Sequence, residues 1–595
     1  MAGRFLVRIW IGWTVVATIV LSAGPLPAQT KVEDLKVFCR EGQTFITFKE
    51  LDDVKGEKYA IYHFDGVPSE IRLTDARKLA VIGEDSGAFK AEQRVKRLAA
   101  KTKVAGYNFR FIIQDNPTND PKAQLPAGVG LFVYTVKADG DYSCAVVPVI
   151  DGKQVVGRMS AIAPVKEKVA LPGAVLVWKS PGGAGAVYTH WMDGATWDPM
   201  SEGNAYNFGI GVPKKYDGKT PLPVMFYGHG MGGTYRAPDD APYTAAVWIW
   251  HGDKSGSWFL GMMNRAKTKV VNYAEQRVRW SAGWLGAGRK NQFWKADMTR
   301  VNAHGHSMGG TGCKAWALRL GDIFCTTVDS AGATIHHRNR TWVNQASKLW
   351  GPVDKNLPME TRTYDYSAGK LTITRKIVGG VWDYQNYAKW SLDNMATESA
   401  WFTVSHGQRD GSVVFEPVPD FLAALQKSKR PFAAVWNQRG HSWSGYGTRN
   451  NSWGAFKIRI DETVPALANA SNNDDPRKTK SGQINGKLEW SAPGNDFDAK
   501  SADDDIVDTA ATWAMNIRSL SGPATVDVTP RRCKRFKPAP GAKCTWQNLD
   551  FSNPAKPKVV DRGTVAADKY GLVTVEKFKV GKAGLGNRLV IKAAK

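Results

Sequence analysis

The run Gly305-His306-Ser307-Met308-Gly309 sets a serine between two glycines in the pattern G-x-S-x-G. A serine hydroxyl is a weak nucleophile at neutral pH. It needs an adjacent base, and the base needs a partner that orients it. Asp410 follows in Gly407-Gln408-Arg409-Asp410-Gly411, and His441 in Arg439-Gly440-His441-Ser442. Serine, acid and histidine in that chain order form one of the known triad sequences. Ser307 is the expected nucleophile, His441 the general base and Asp410 the acid that holds the histidine. Acyl transfer also needs donors for the oxyanion. One is expected from the backbone N–H of Met308, the residue after the nucleophile. The other is expected from Met231 or Gly230, in Gly228-His229-Gly230-Met231-Gly232-Gly233. His229, in the same run, is assigned to substrate contact.

Other residues compete for these roles. Asp329 follows the strand next after the serine, a less usual place for the acid. Glu416 and Asp420 suit a helix start, where negative charge is favoured. His406 reads as a packed imidazole, and His304 and His306 as structural flanks of the serine turn. The run 228–233 also fits G-x-G-x-x-G, but no helix follows and Pro238 and Pro242 intervene, so a dinucleotide site is rejected.

Strand-like runs alternate with helical ones between about 171 and 462, which implies a parallel sheet covered by helices. The strand candidates are 223–230, 299–305, 323–332, 400–407 and 432–441, and the helical ones include 271–288, 311–321 and 420–429. Ser307 thus falls on a sharp turn from strand to helix, the setting that exposes such a hydroxyl. Asp410 and His441 each follow a later strand, which puts both in loops at the same sheet edge.

Residues about 200–445 resemble the α/β-hydrolase superfamily, and within it the esterase D, feruloyl esterase and polyhydroxybutyrate depolymerase group. The resemblance rests on DMTRVNAHGHSMGGTGCKAWALRLGDIF (297–324), on SHGQRDGSV (405–413) and on the His-Gly run at 229, which resembles the oxyanion loop of esterases and lipases. It implies an α/β-hydrolase central domain, ester hydrolysis and an acyl-enzyme mechanism without a metal or cofactor. The chain departs from the group in an insertion at 333–399 and in two β-rich flanks. The insertion carries Trp342, Trp350, Tyr364, Tyr366, Trp382, Tyr384, Tyr387 and Trp390. Such rings suit sugar or aromatic ester contacts and suit a core equally well. Trp382 is the one assigned to substrate.

The chain has 595 residues, 43% hydrophobic and 23% charged, a globular composition with room for about three domains. Arg4 and Arg8 precede an uncharged apolar run ended by Pro25, Pro27 and Ala28, so residues 1–28 are expected to be an export signal. A membrane anchor is the alternative. Residues 29–170 are β-rich and resemble a fibronectin type III sandwich by strand order and spacing. Residues 171–462 form the catalytic domain, 463–486 a linker, and 487–595 a third, β-rich domain. The flanks are expected to bind or position as separate modules.

Export makes three disulfides the simplest pairing of the six cysteines, Cys39 with Cys144, Cys313 with Cys325 and Cys533 with Cys544, with free and buried Cys313 and Cys325 as the alternative. The net charge of +25 would attract acidic polymers. No nucleic-acid motif accompanies it. The basic run at 531–535 reads as a polymer site or a charged strand edge. Asp496, Asp498 and the run 503–505 read as solvated acidic loops more than as a calcium site.

Three functions remain. The first is a secreted or periplasmic serine esterase acting on an acylated polysaccharide, a phenolic ester or a polyester. The second is a secreted serine peptidase of the same fold. The third is a carbohydrate-binding or adhesion protein without catalysis. In the first, the partner is an ester substrate, polymeric or small, with no nucleic acid and no membrane once the signal is cleaved.

Overall fold

The computed structural model describes residues 30–89, 101, 109–197, 204–241, 246–253, 256–289, 292–443, 458–491, 506–553 and 555–594. The expected export signal and the acidic runs near 496–505 lie outside them. Among the described residues no helix is long and apolar enough to cross a membrane.

A ten-stranded sheet carries the centre of the molecule. Its strands are β1 (Val175–Lys179), β2 (Gly185–Met192), β3 (Asn204–Gly211), β4 (Leu222–Gly228), β5 (Val247–His251), β6 (Ala296–His306), β7 (Thr326–Ser330), β8 (Trp401–Gly407), β9 (Phe432–Asn437) and β10 (Gly482–Ile484). Their spatial order is β1-β2-β3-β5-β4-β6-β7-β8-β9-β10. Strands β4 to β9 run parallel, while β1 to β3 form an antiparallel extension and β10 closes the other edge antiparallel. Parallel neighbours need crossovers, and helices α1 (Tyr273–Gly286), α2 (Met308–Arg319) and α3 (Val418–Lys427) lie between the strands they join. Burial on both faces explains why β5 reads as the unbroken apolar run VWIWH.

The N-terminal region is a two-sheet sandwich. Glu33–Arg40, Gln43–Lys49 and Val129–Thr135 form one sheet, and Lys58–Asp65, Arg77–Gly83, Gly140–Ile150, Lys153–Gln154 and Ala163–Glu167 the other. Asp151 and Gly152, both at positive φ, make the two-residue turn that pairs Ile150 with Lys153. The sandwich shares a core with the central sheet. Phe45, Leu131 and Val133 pack with Val177, Trp178 and Trp191 of β1 and β2.

The third region holds two further sheets, but it is not joined by a free linker. Val464–Ala468 pairs with Ala524–Arg531 in a C-terminal sheet, and β10 then returns to the edge of β9. Trp401 of β8 and Ala433 of β9 are buried in the same cluster as Trp490, Trp513 and Ile591. The expected linker 463–486 is therefore corrected: two of its segments are strands in different sheets. The run at 531–535 is corrected too. Arg531 is fully buried, pairs with Glu398 at 2.9 Å and donates to the carbonyls of Lys429, Met395 and Thr397. Arg532 donates to the carbonyls of Cys325 and Arg459. These two arginines fasten the C-terminal region to the catalytic one.

All six cysteines are free thiols, so the three expected disulfides are not formed. Their sulfurs have other neighbours. Cys325 Sγ lies 3.0 Å from the Thr299 carbonyl, and Cys533 Sγ 3.3 Å from Thr463 Oγ1. Burial pushes the Cys144 and Cys533 thiols up to about 12.

Candidate active site

Ser307 sits between β6 and α2 with φ 60° and ψ −123°. A residue with a side chain is strained there, and such strain survives only where the surroundings enforce it. Three glycines do so. A Cβ at Gly309 would lie 1.9 Å from the Gly228 carbonyl oxygen, and one at Gly305 would lie 2.4 Å from the Gly309 carbonyl. The helix can thus lie directly on the ends of β4 and β6, and no other residue fits. The Ser307 N–H donates to the Ser330 carbonyl at 2.8 Å, pinning the turn to β7.

The loops after β8 and β9 run side by side. The N–H groups of Gln408 and Arg409 donate to the carbonyls of Asn437 and Arg439. A Cβ at Gly407 would lie 2.2 Å from the Arg439 oxygen, so this approach also depends on glycine. The contact brings the acid to the histidine: His441 Nδ1 is 2.7 Å from Asp410 Oδ2. The Asp410 side chain is wholly buried and accepts the N–H groups of Ser412 and Val413 on its other oxygen. His406 Nε2 stands 3.4 Å from Oδ2 and donates to the Val413 carbonyl at 2.7 Å. Burial alone would raise the Asp410 pKa. The hydrogen bonds from His406 and His441 outweigh it and hold the carboxyl well below its usual range. Asp410 is therefore a carboxylate that accepts the Nδ1–H of His441, which makes Nε2 the nitrogen open to act as base.

The His441 ring lies 4.7 Å from that of His306, the residue before the serine. His306 stacks on Trp443 from its other neighbourhood and places Nδ1 3.1 Å from Ser330 Oγ. Among the described residues no hydrogen bond joins the Ser307 hydroxyl to His441. Such bonds are often long before substrate binds.

The glycine-rich loop is also at the serine. A Cβ built at Gly230 would lie 3.9 Å from Ser307 Cβ. The Gly233 N–H donates to the Gly230 carbonyl, closing a turn that passes Met231 and Gly232 across the site. Met308 opens α2, so its N–H has no partner inside the helix. His229 has a different task from the one expected. It is buried, with Nδ1 2.7 Å from the Gly230 carbonyl and Nε2 accepting the Asp253 N–H at 2.8 Å. One nitrogen is engaged within the loop and the other by the segment after β5, so His229 holds the loop in place and has no ring nitrogen left for substrate.

Asp329 is not the orienting acid. It lies fully buried 2.9 Å from Lys314 Nζ, behind the serine turn. Burial pushes the Lys314 ammonium down and the Asp329 carboxyl up, and their contact opposes both shifts. Lys314 also donates to the carbonyls of Gly332 and Ala333, so it ties α2 to the loop after β7. Sequence reasoning missed this lysine. The signal was a single charge inside the otherwise apolar helix GGTGCKAWAL. Glu416 and Asp420 both pair with Arg338 outside the site.

Trp382 is corrected as well. It is 2% exposed, its indole N–H donates to the Gly351 carbonyl, and its ring packs edge-on against Trp350. Trp350 and Tyr387 are likewise buried, and the aromatics of the insertion build its core. The insertion folds as helices and a hairpin, Pro358–Asp365 with Thr372–Gly380, which bonds to the N-terminal sandwich through Asp139 and Leu371.

A mostly parallel sheet, a serine on a glycine-packed strand–helix turn, and an acid–histidine pair on two later loops define the α/β-hydrolase class of fold. Solved structures similar to this chain include an S-formylglutathione hydrolase from Agrobacterium tumefaciens, with 16% identity over 45% of this chain and 92% of that one, at a TM-score of 0.33. A fluorophosphonate-binding serine hydrolase of Staphylococcus aureus matches at 15% identity over 44% and 93%, with a TM-score of 0.31. Dipeptidyl peptidase 4 of Porphyromonas gingivalis matches at 11% identity over 69% and 60%, with a TM-score of 0.29. No family model matches, and no curated protein does. The likenesses are too slight to add weight, and the site stands on the strands and distances of this chain.

Proposed function

We propose that this chain is an exported serine esterase that cleaves carboxylic esters through an acyl-enzyme. Ser307 Oγ attacks the ester carbonyl while His441 Nε2 takes its proton. The oxyanion is held by the N–H of Met308 and an N–H of the Gly230–Met231 segment. Collapse expels the alcohol, which takes the proton from His441. Water then attacks the acyl-enzyme with the same histidine as base, releasing the acid and restoring Ser307. Asp410 fixes the histidine tautomer and offsets its positive charge. The substrate class is an acylated polysaccharide, a phenolic ester or a polyester. The N-terminal sandwich is a fibronectin type III-like positioning module in this reading.

The observation that supports it most is the strained Ser307, with Gly230 on one side and the pair of buried Asp410 and partly exposed His441 reaching the adjoining His306. A fluorophosphonate probe should label the native chain, and Ser307→Ala should abolish labelling and cut ester turnover by several orders of magnitude with no change in melting temperature. Residual catalysis of about 10³–10⁴ over water is expected from the remaining site. Labelling that survives in Ser307→Ala means a different nucleophile. A panel of nitrophenyl and feruloyl esters, acetylated polysaccharides and polyester films against peptides reads the substrate class. Turnover of peptides alone sinks the esterase reading.

A further inference from the structure

A concave site apart from Ser307 lies where the N-terminal sandwich meets the catalytic sheet. It is a cavity of about 280 Å³ walled by Leu79, Ala80, Phe132 and Tyr134, and by the segment Asp193-Gly194-Ala195 that follows β2. Strand β2 runs in the same direction as β4 to β9, so that segment leaves the sheet at the edge that also carries Ser307. Four cationic side chains line the cavity, Arg77, Lys78, Lys137 and Arg265, against one carboxylate, Asp193.

That carboxylate is already committed to the backbone. Asp193 Oδ2 accepts the Thr135 N–H at 2.8 Å, and Oδ1 accepts the Thr196 N–H at 2.9 Å. Among the described residues, Arg77, Lys78 and Lys137 form no ion pair. Lys137 is half-buried, while Arg77, Lys78 and Arg265 stand at the exposed rim. Burial lowers the Lys137 pKa, Asp193 acts the other way, and the nearby Arg77 and Arg375 guanidinia lower it further. A half-buried ammonium beside other cations is a destabilised arrangement that a bound anion relieves. The inner charge is a single lysine, which suits one negative charge. The apolar wall suits a carbon ring, and the volume, nearly twice the ~150 Å³ that encloses a benzene, holds one with its polar substituents.

We propose that this cavity binds an organic carboxylate about one ring in size, as a free acid or as the acidic unit of a polysaccharide. Its carboxylate meets Lys137 and the Arg77 fork, and its ring lies along Leu79 and Ala80. The site is separate from the triad and does not depend on the esterase reading.

The test is titration calorimetry on the full chain at physiological salt. The probes are 4-hydroxybenzoate, galacturonate, a short oligogalacturonate, the methyl esters of the two monomers, and inorganic phosphate. One carboxylate should bind saturably at one per chain, with no binding of its methyl ester. Lys137→Met and Arg77→Gln should each weaken it at least about tenfold, the scale of losing one charge-assisted hydrogen bond. Ser307→Ala should bind as the native chain does. A gain from monomer to oligogalacturonate marks the polysaccharide source, and equal affinity marks the free acid. The proposal is overturned if no carboxylate saturates, if the ester or phosphate binds as well, if Ser307→Ala abolishes binding, or if the cavity variants leave binding unchanged. Arg77 is exposed, so Arg77→Gln keeps the test open should Lys137→Met fail to fold.

Discussion

Asp410 serves two histidines at once, and only one faces the reacting side. His441 is about a quarter exposed, whereas His406 is enclosed between Asp410 and the Val413 carbonyl. His406 is thus a positioning residue for the carboxylate. Asp410→Asn should leave the fold intact and lower kcat by about 10⁴, because His441 loses the acceptor that fixes its tautomer. Steady-state kinetics with a nitrophenyl ester would read this, and KM should change little. Asp329→Asn should act differently. It leaves Lys314 buried without its counter-charge, so the loss should appear as a lower melting temperature. A crippled but fully stable Asp329→Asn enzyme, beside a silent Asp410→Asn, would reverse the assignment. Residue types and chain order singled out Ser307, Asp410 and His441 as one group, and the fold brings Asp410 to His441 and His441 to the residue beside Ser307. They could not tell Trp382 in a core from Trp382 in a cleft, since an indole suits both. His229 was misread for a similar reason: its two nitrogens could face substrate or loop, and only the fold places Asp253 against one of them.

The glycines of the serine turn act as spacers between β4, β6 and α2. Gly309→Ala would drive a methyl into the Gly228 carbonyl, 1.9 Å away, and the only relief is to shift the helix. The expected outcome is a loss of stability of about 1–3 kcal/mol or more, with turnover falling further as Ser307 moves. Denaturant unfolding together with fluorophosphonate labelling would check it, and a variant with native stability and labelling would refute the packing argument. Elements of this kind were legible in the sequence. The expected strand 400–407 is Trp401–Gly407, and the expected helix 420–429 is Val418–Lys427. Strand β5 was missed because its run VWIWH is too short and uniform to show a period. Strand β10 was missed because Gly482–Ile484 sits in a polar stretch and gains its place only by pairing with β9. A three-residue edge strand leaves almost no local pattern.

Across the whole molecule, buried histidines set the response to acid. Burial holds His304 and His336 at about 3, and holds His190 and His251 well below their usual value. Below about pH 6.5 the unfolded chain takes up protons at these four sites that the native chain refuses, so stability falls as pH falls. Each site adds a slope of up to about 1.4 kcal/mol per pH unit until its folded value is reached. The lowered Asp410 carboxyl acts in the same direction at lower pH still. Denaturant midpoints should be flat above about pH 7 and drop steeply toward pH 5. A midpoint unchanged across that range would show that these imidazoles are not buried neutral. Both flanks share buried clusters with the catalytic region. Burial partners such as Arg531 with Glu398, or Trp401 with Trp490, link residues far apart in sequence, and nothing local announces them.

The chain leaves β9 for a C-terminal strand at Val464–Ala468, returns at β10, and then enters the C-terminal sheets. During synthesis β9 therefore waits with an open edge until Gly482–Ile484 has left the ribosome. Trp401 and Ala433 wait longer, since Ile591 of their cluster is made well after Gly482–Ile484. Unpaired edges and uncovered apolar surface invite association with other chains. A nascent chain of this protein thus keeps part of the apolar surface of its catalytic sheet uncovered until the strand that carries Ile591 has been made.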